Sequence, residues 1–234
     1  MRISRTLTLN VVLSGVGALA ALALGQASAQ GDDYLRWSAQ QTQTIGRSMR
    51  KSGRVGSIWS FRGLHTERAS NYKLRATWLA PEVIRASARL EQMRSRLSED
   101  TTKALVAEAE AAGDTVIMVE IDPDEGSGVI PLEWQAFLQP KNLKEGDIQP
   151  VGGVNTPKLR AVKALAGVAE RDYNYDVFWM VFRLATDQGQ PILSASVKEA
   201  ELVVRIYNRE ARVSWLVPDS IRNRTTSVTT KPPG

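Results

Sequence analysis

The sequence predicts a mainly β protein, an antiparallel β-sandwich of immunoglobulin-like general style with a two-helix insertion. Three observations point there. Short runs alternate apolar and polar residues, as Tyr72, Leu74, Ala76 and Trp78 do against Lys73, Arg75 and Thr77. Two further runs, Thr115–Ile121 and Tyr175–Leu184, are apolar on both alternating faces and therefore need cover on both sides. No regular helix–strand alternation supports a doubly wound parallel sheet.

At the N-terminus, Arg2 and Arg5 precede an apolar run from Leu7 to Leu24, followed by Ala27-Ser28-Ala29. A basic end, an apolar stretch and small residues at the peptidase positions make residues 1–29 a secretory signal peptide, with cleavage expected after Ala29. The competing reading is a retained anchor, which Ser14, Gly15, Gly17 and Gly25 weaken by diluting the run. No Cys occurs, which excludes disulfides, thiolate metal sites, cysteine nucleophiles and lipid attachment through a cysteine. A cysteine-free exported chain fits a bacterial envelope, periplasmic or extracellular, better than a eukaryotic secretory route. No membrane span is expected after cleavage.

Removing Arg2 and Arg5 lowers the formal charge of the chain from +5 to +3. The basic residues concentrate early, and residues 30–56 read as a flexible arm because Ser38–Gly56 is rich in Ser, Gln and Gly and poor in apolar anchors. Arg47, Arg50, Lys51 and Arg54 are its candidate anion-binding residues. The competing reading is a solvated lead-in. No aromatic residue lies between Ser38 and Ile58, which argues against nucleic acid as the partner.

Residues 57–222 are expected to form the sandwich domain. Ile58–Leu64 and Tyr72–Leu79 read as strands. Pro81 then suits the first turn of a helix, and Val83, Ala86, Leu90, Met93 and Leu97 recur at steps of three and four. Ser98 caps a second helix whose first turn carries Glu99 and Asp100 and whose inner side carries Leu105, Ala109 and Ala112 before Gly113, placing the insertion at about 81–112. Thr115–Ile121 and Tyr175–Leu184 are the candidate central strands, with Val177, Trp179 and Val181 on one face of the latter and Phe178, Met180, Phe182 and Leu184 on the other. Leu143–Pro157 reads as a long connection, and Lys158–Ala169 as a further strand because its neighbours are β. Ala200–Tyr207 and Arg212–Val217 form a hairpin turning around Asn208, Arg209 and Glu210. Residues 223–234 read as a disordered tail.

The chemistry is constrained mainly by what is missing. His65 is the sole histidine, and neither a nucleophile elbow in the mature chain nor a P-loop, dinucleotide glycine pattern or CxxC is present. No catalytic residue and no cofactor are assigned. Asp122, Asp124 and Glu125, followed by Gly126 and Gly128, make a weak calcium candidate; the spacing departs from an EF-hand loop, and a plain turn explains it more simply. The expected function is non-enzymatic binding of a protein or anionic polymer partner in the envelope. The alternative is a secreted hydrolase acting on an extracellular polymer through strand-end carboxylates among Glu120, Asp122, Glu133, Asp176 and Glu201, which would have to meet about 5 to 10 Å apart in a cleft. The six tryptophans are read as core or layer-edge residues before sugar platforms.

Overall fold

A computed structural model describes residues 33–56, 71–123, 129–143, 148–168, 174–222 and 224. The expected signal peptide, the strand expected over 58–64, His65, Asp124, Glu125 and tail residues 223 and 225–234 lie outside these.

In chain order the elements are α1 (Ala39–Ser48), β1 (Arg50–Val55), β2 (Tyr72–Trp78), α2 (Pro81–Ser95), α3 (Glu99–Glu110), β3 (Thr115–Pro123), β4 (Gln135–Pro140), β5 (Val151–Gly152), β6 (Val154–Asn155), β7 (Asp176–Phe182), β8 (Glu199–Ile206) and β9 (Arg209–Leu216). They build two antiparallel sheets, ordered β1-β2-β3-β7-β6 and β5-β4-β8-β9. Leu74, Ile117, Val119, Ile121, Met180 and Phe182 of the first sheet share one core with Ala136, Leu138, Leu202, Val204, Val213 and Trp215 of the second. On the other face of the first sheet, Val116, Met118 and Trp179 meet Val83, Ile84 and Ala88 of α2 and Val106 and Ala109 of α3. Every residue of β3 from Thr115 to Asp122 is buried, because helices cover one side of the strand and the second sheet covers the other. Strand β7 divides its side chains between the two cores in the same way.

The helical insertion forms where the sequence places it. Pro81 stands at the start of α2, where an N–H would have no partner. Ser98 Oγ accepts from the backbone N–H of Thr101 at 3.1 Å and caps α3. The inner face of α2 differs from the expected stripe: Leu90, Met93 and Leu97 are half-buried, whereas Ile84, Ser87, Ala88 and Gln92 are buried. The reason is a third helix. Helix α2 packs against α1 as well as α3, so its buried arc is wider than one partner would require.

That third helix overturns the flexible arm. Residues 39–55 form α1 and β1. Ser38 caps α1, the buried small residues Thr42 and Gly46 allow close packing, and a Cβ on Gly46 would lie 2.0 Å from a methyl of Val168. Strand β1 pairs with β2 along its whole length, from Arg50 opposite Thr77 to Val55 opposite Tyr72. At the junction, the carbonyl of Met49 accepts from the backbone N–H of Trp78 at 3.1 Å and from Trp215 Nε1 of the second sheet at 2.7 Å. Buried Tyr34, Leu35 and Val55, the close-packed Thr42 and Gly46, and backbone hydrogen bonds fix the segment.

Two other expectations need correction. Lys158–Ala169 is not a strand: its described part forms short 3-10 turns over Pro157–Ala161 and Lys163–Leu165, which place Leu159, Ala164 and Leu165 in the helix-side core. The β8–β9 hairpin turns one step earlier than expected, at Tyr207 and Asn208, with Ile206 paired to Arg209 and Tyr207 at φ 54°. Within the long connection, β5 pairs with β4 and β6 pairs with β7, so the chain passes from the second sheet to the first across Gly153 alone. A Cβ there would lie 2.7 Å from the Phe182 ring, which explains the glycine.

Candidate anion-binding face

The helices cover only part of the outward face of the first sheet. Beyond them, the strand registers align two rows of side chains. Arg54 of β1 stands opposite Lys73 of β2, itself opposite Asp122 of β3. Ser52 stands opposite Arg75, which faces Glu120, which faces Val177 of β7. Alternation puts all of these on the side carrying Met118 and Trp179.

Arg50, one pleat nearer the helices, reaches back to this group, its Nη2 lying 3.6 Å from Glu120 Oε2. Glu120 is 3% exposed, and this oxygen takes no hydrogen bond. Lys73 Nζ lies 3.3 Å from Asp122 Oδ2. The Arg75 guanidinium lies 4.0 Å from the centre of the Tyr175 ring. Among the described residues, Arg50, Arg54, Lys73 and Arg75 share one sheet face with Glu120 and Asp122, both buried while Lys73 stays exposed. Fixed guanidinium forks and an ammonium over a sheet suit anionic oxygens, since Arg binds phosphate or carboxylate through paired N–H donors.

Of the four residues proposed from sequence, the structure brings Arg50 and Arg54 to this face. Lys51 points to the opposite side of β1 and is exposed, and Arg47 is exposed on the last turn of α1. Lys73, Arg75 and Tyr175 were missed. Their signal was the alternation in 72–78, which puts Lys73 and Arg75 on one side of a strand, but only the β1–β2 register joins them to Arg50 and Arg54.

The candidate calcium ligand Asp122 is buried and engaged by Lys73, so an ammonium group occupies its carboxylate. Among the described residues, no group of three or more His, Asp or Glu side chains is placed to hold a metal ion. Of the hydrolase carboxylates, Glu120 and Asp122 share a face of β3 about 7 Å apart along the strand, beneath basic side chains. Glu201 lies in the other sheet, bonded to Gln139 and Arg212. Glu133 stands in the loop before β4, and Asp176 opens β7. An open depression of about 500 Å³ beside β4 and the β8–β9 turn is lined by Glu133 with Leu132, Arg205 and Tyr207; a second, of about 460 Å³, is lined by Val154, Arg183 and Asp187. Neither holds two of the named carboxylates.

On the second sheet, hydrogen bonding from Arg212 holds the Glu210 carboxyl below its usual range, while Glu210 raises the Arg212 guanidinium. On α2, the Ser95 hydroxyl and Lys163 lower Glu91.

No protein-family model matches the chain, and no curated protein sequence does. A crystal structure described as a novel protein of unknown function from Burkholderia pseudomallei K96243 is similar at 16% identity, covering 65% of this chain and 78% of that one, with a TM-score of 0.35.

Proposed function

We propose that this chain is exported to the bacterial envelope, periplasmic or extracellular, and acts there as a non-enzymatic β-sandwich module that binds an anionic partner. Export is supported by the basic start, apolar run and Ala27-Ser28-Ala29. Among the described residues, no helix is long and apolar enough to cross a membrane. The observation that carries the binding reading is the alignment of Arg50, Arg54, Lys73 and Arg75 on one outward sheet face. The two sheets sharing a core support the sandwich, and the immunoglobulin-like comparison is kept for general style only. Among the described residues, neither depression beside the sheets holds two of the five carboxylates, which favours the binding reading over the hydrolase one.

Export is checked by intact mass. Protein recovered from periplasm or medium should begin at Gln30, and a species retaining Arg2 and the apolar run would instead mean an anchored protein. Binding is checked with dextran sulfate against neutral dextran. Affinity for the sulfated polymer should fall at least tenfold as salt rises from about 0.05 M to 0.5 M, because the screening length shrinks from beyond 10 Å to a few Å. Arg54→Gln with Lys73→Gln should weaken it several-fold, and Lys158→Gln, an exposed cation on a 3-10 turn, should not. Equal retention on neutral dextran, or no retention on either polymer, would end this reading.

A further inference from the structure

The open depression beside β4 and the β8–β9 turn is walled by paired strand residues. Gln135 opens β4 opposite Arg205 of β8, and such cross-strand neighbours stand about 5 Å apart. Glu133 lies two residues before Gln135 and Tyr207 two after Arg205. With Pro131 and Leu132, these four line a depression of about 500 Å³, a volume in the range of small-ligand sites.

The lining side chains are free to meet a ligand. Leu132 is fully exposed and Tyr207 is 62% exposed. Among the described residues, no hydrogen bond or ion pair engages the carboxylate of Glu133, the amide of Gln135 or the hydroxyl of Tyr207. Arg205 is held in place, its Nη2 3.4 Å from Glu210 Oε2 and its guanidinium 5.5 Å from the centre of the Phe137 ring. A guanidinium has five N–H donors, so several remain for a ligand. The backbone gives an independent sign. Tyr207 takes φ 54° at the first position of the two-residue turn, a conformation that favours glycine because a Cβ is strained there. Burial does not offset that strain, since most of the residue faces solvent. An exposed aromatic in a glycine position meets no packing need, and strain of this sort gathers at binding sites.

The chemistry of the lining selects the ligand class. Among the described residues, its charged side chains are Glu133 and Arg205, one of each sign, which suits an uncharged ligand better than a polyanion. One carboxylate can hold such a ligand but does not supply the carboxyl pair of glycoside cleavage. A pyranose ring matches this arrangement: its C–H face stacks on an exposed tyrosine, and its edge presents polar groups to a carboxylate, an amide and a guanidinium. Bonds near 1.5 Å put the two linkage oxygens of one ring about 5.5 Å apart, comparable with the spacing of paired strand residues. Pro131 and Leu132 add an apolar corner beside Glu133 that hydroxyl groups leave unmatched. An acetamido substituent matches it, with a methyl for the apolar corner, an N–H for a carboxylate acceptor and a carbonyl for a guanidinium donor.

We propose that this depression binds a neutral saccharide chain of acetamido-bearing pyranose units. One ring stacks on Tyr207, Glu133 and Gln135 bond its edge, and Arg205 donates to the acetamido carbonyl. The site belongs to the second sheet and does not rest on the anion-binding reading of the first.

The test titrates a chain starting at Gln30 with chitohexaose by calorimetry. Cellohexaose and maltohexaose, which lack acetamido groups, are the other arms. Chitohexaose should bind at least tenfold more tightly than either. Tyr207→Gly removes the ring and relieves the strained φ, so it should weaken chitohexaose binding at least tenfold without lowering the thermal midpoint. Glu133→Gln keeps the side-chain shape and should weaken binding several-fold. Neither variant should alter retention on dextran sulfate. Equal affinity for cellohexaose would overturn the acetamido assignment, and unchanged chitohexaose affinity in Tyr207→Gly would overturn the site. Absence of chitohexaose binding at about 1 mM would also overturn the proposal, whatever the result with dextran sulfate. Loss of dextran sulfate retention in Tyr207→Gly would show one shared site and end the assignment of a separate one.

Discussion

Replacing Trp179 by Ala should lower stability by about 3 to 5 kcal/mol, the usual range for emptying a large aromatic site in a packed core. Trp179 is 2% exposed and packs from the middle of β7 against the helix-side core. Its Nε1 also donates to the carbonyl of Leu165 at 3.0 Å, so the alanine variant leaves a buried acceptor without a partner. Denaturant unfolding measures the loss, and in a domain of this size the thermal midpoint should drop by roughly 6 to 20 °C. Trp179→Phe keeps most of the ring and removes only the donor, so it should cost about 1 to 3 kcal/mol. A loss below about 1 kcal/mol for the alanine variant would mean that the helical layer does not seal this face.

A larger effect is expected from truncation. A chain starting at Ser57 lacks α1, β1 and the buried Tyr34, Leu35 and Val55 that a chain starting at Asp33 keeps. Leu35 and Val55 each contribute about 1.5 to 3 kcal/mol by burial, and each lost hydrogen bond of the β1–β2 ladder adds about 1 kcal/mol. Together these exceed about 5 kcal/mol, comparable with the whole stability of many domains. The shorter chain should therefore melt at least 10 °C lower or show no cooperative transition by circular dichroism. Matching midpoints for the two chains would restore the unpacked arm.

The sequence displayed the elements whose order comes from side-chain burial. Alternation in 72–78, the two-faced apolar runs around Val119 and Trp179, the Pro81 start, the Ser98 cap and the β8–β9 pairing pattern are all carried by identities a few residues apart. What it hid is held by other means. In α1, the contact surface is made of Thr42 and Gly46, which any count of hydrophobic residues scores as polar or neutral. In β1, Val55 is the one buried apolar side chain, and the rest of the strand is fixed by main-chain hydrogen bonds and the Met49 carbonyl, invisible in composition. Over 158–165, helix-like and strand-like spacing coexist, and the chain takes neither, dropping Leu159 and Leu165 into the core through tight turns. The candidate site was half legible for the same reason. Arg50 and Arg54 share a face by simple alternation, but their meeting with Lys73, Arg75, Glu120 and Tyr175 depends on registers between strands far apart in the chain.

The double anchoring of Met49 also bears on the thermodynamics of recognition. Were Arg50 and Arg54 carried on a loose segment, a partner would have to order that backbone on arrival, at about 1 to 2 kcal/mol for each residue brought to a single conformation. For the six residues of β1 this would be roughly 6 to 12 kcal/mol, as much as a micromolar complex gains altogether. Because Trp78 from one sheet and Trp215 from the other hold the Met49 carbonyl, folding settles that entropy before any encounter. The backbone that carries these arginines is preorganised, so in the proposed binding their attraction for an anion would appear as affinity instead of being consumed in ordering the chain.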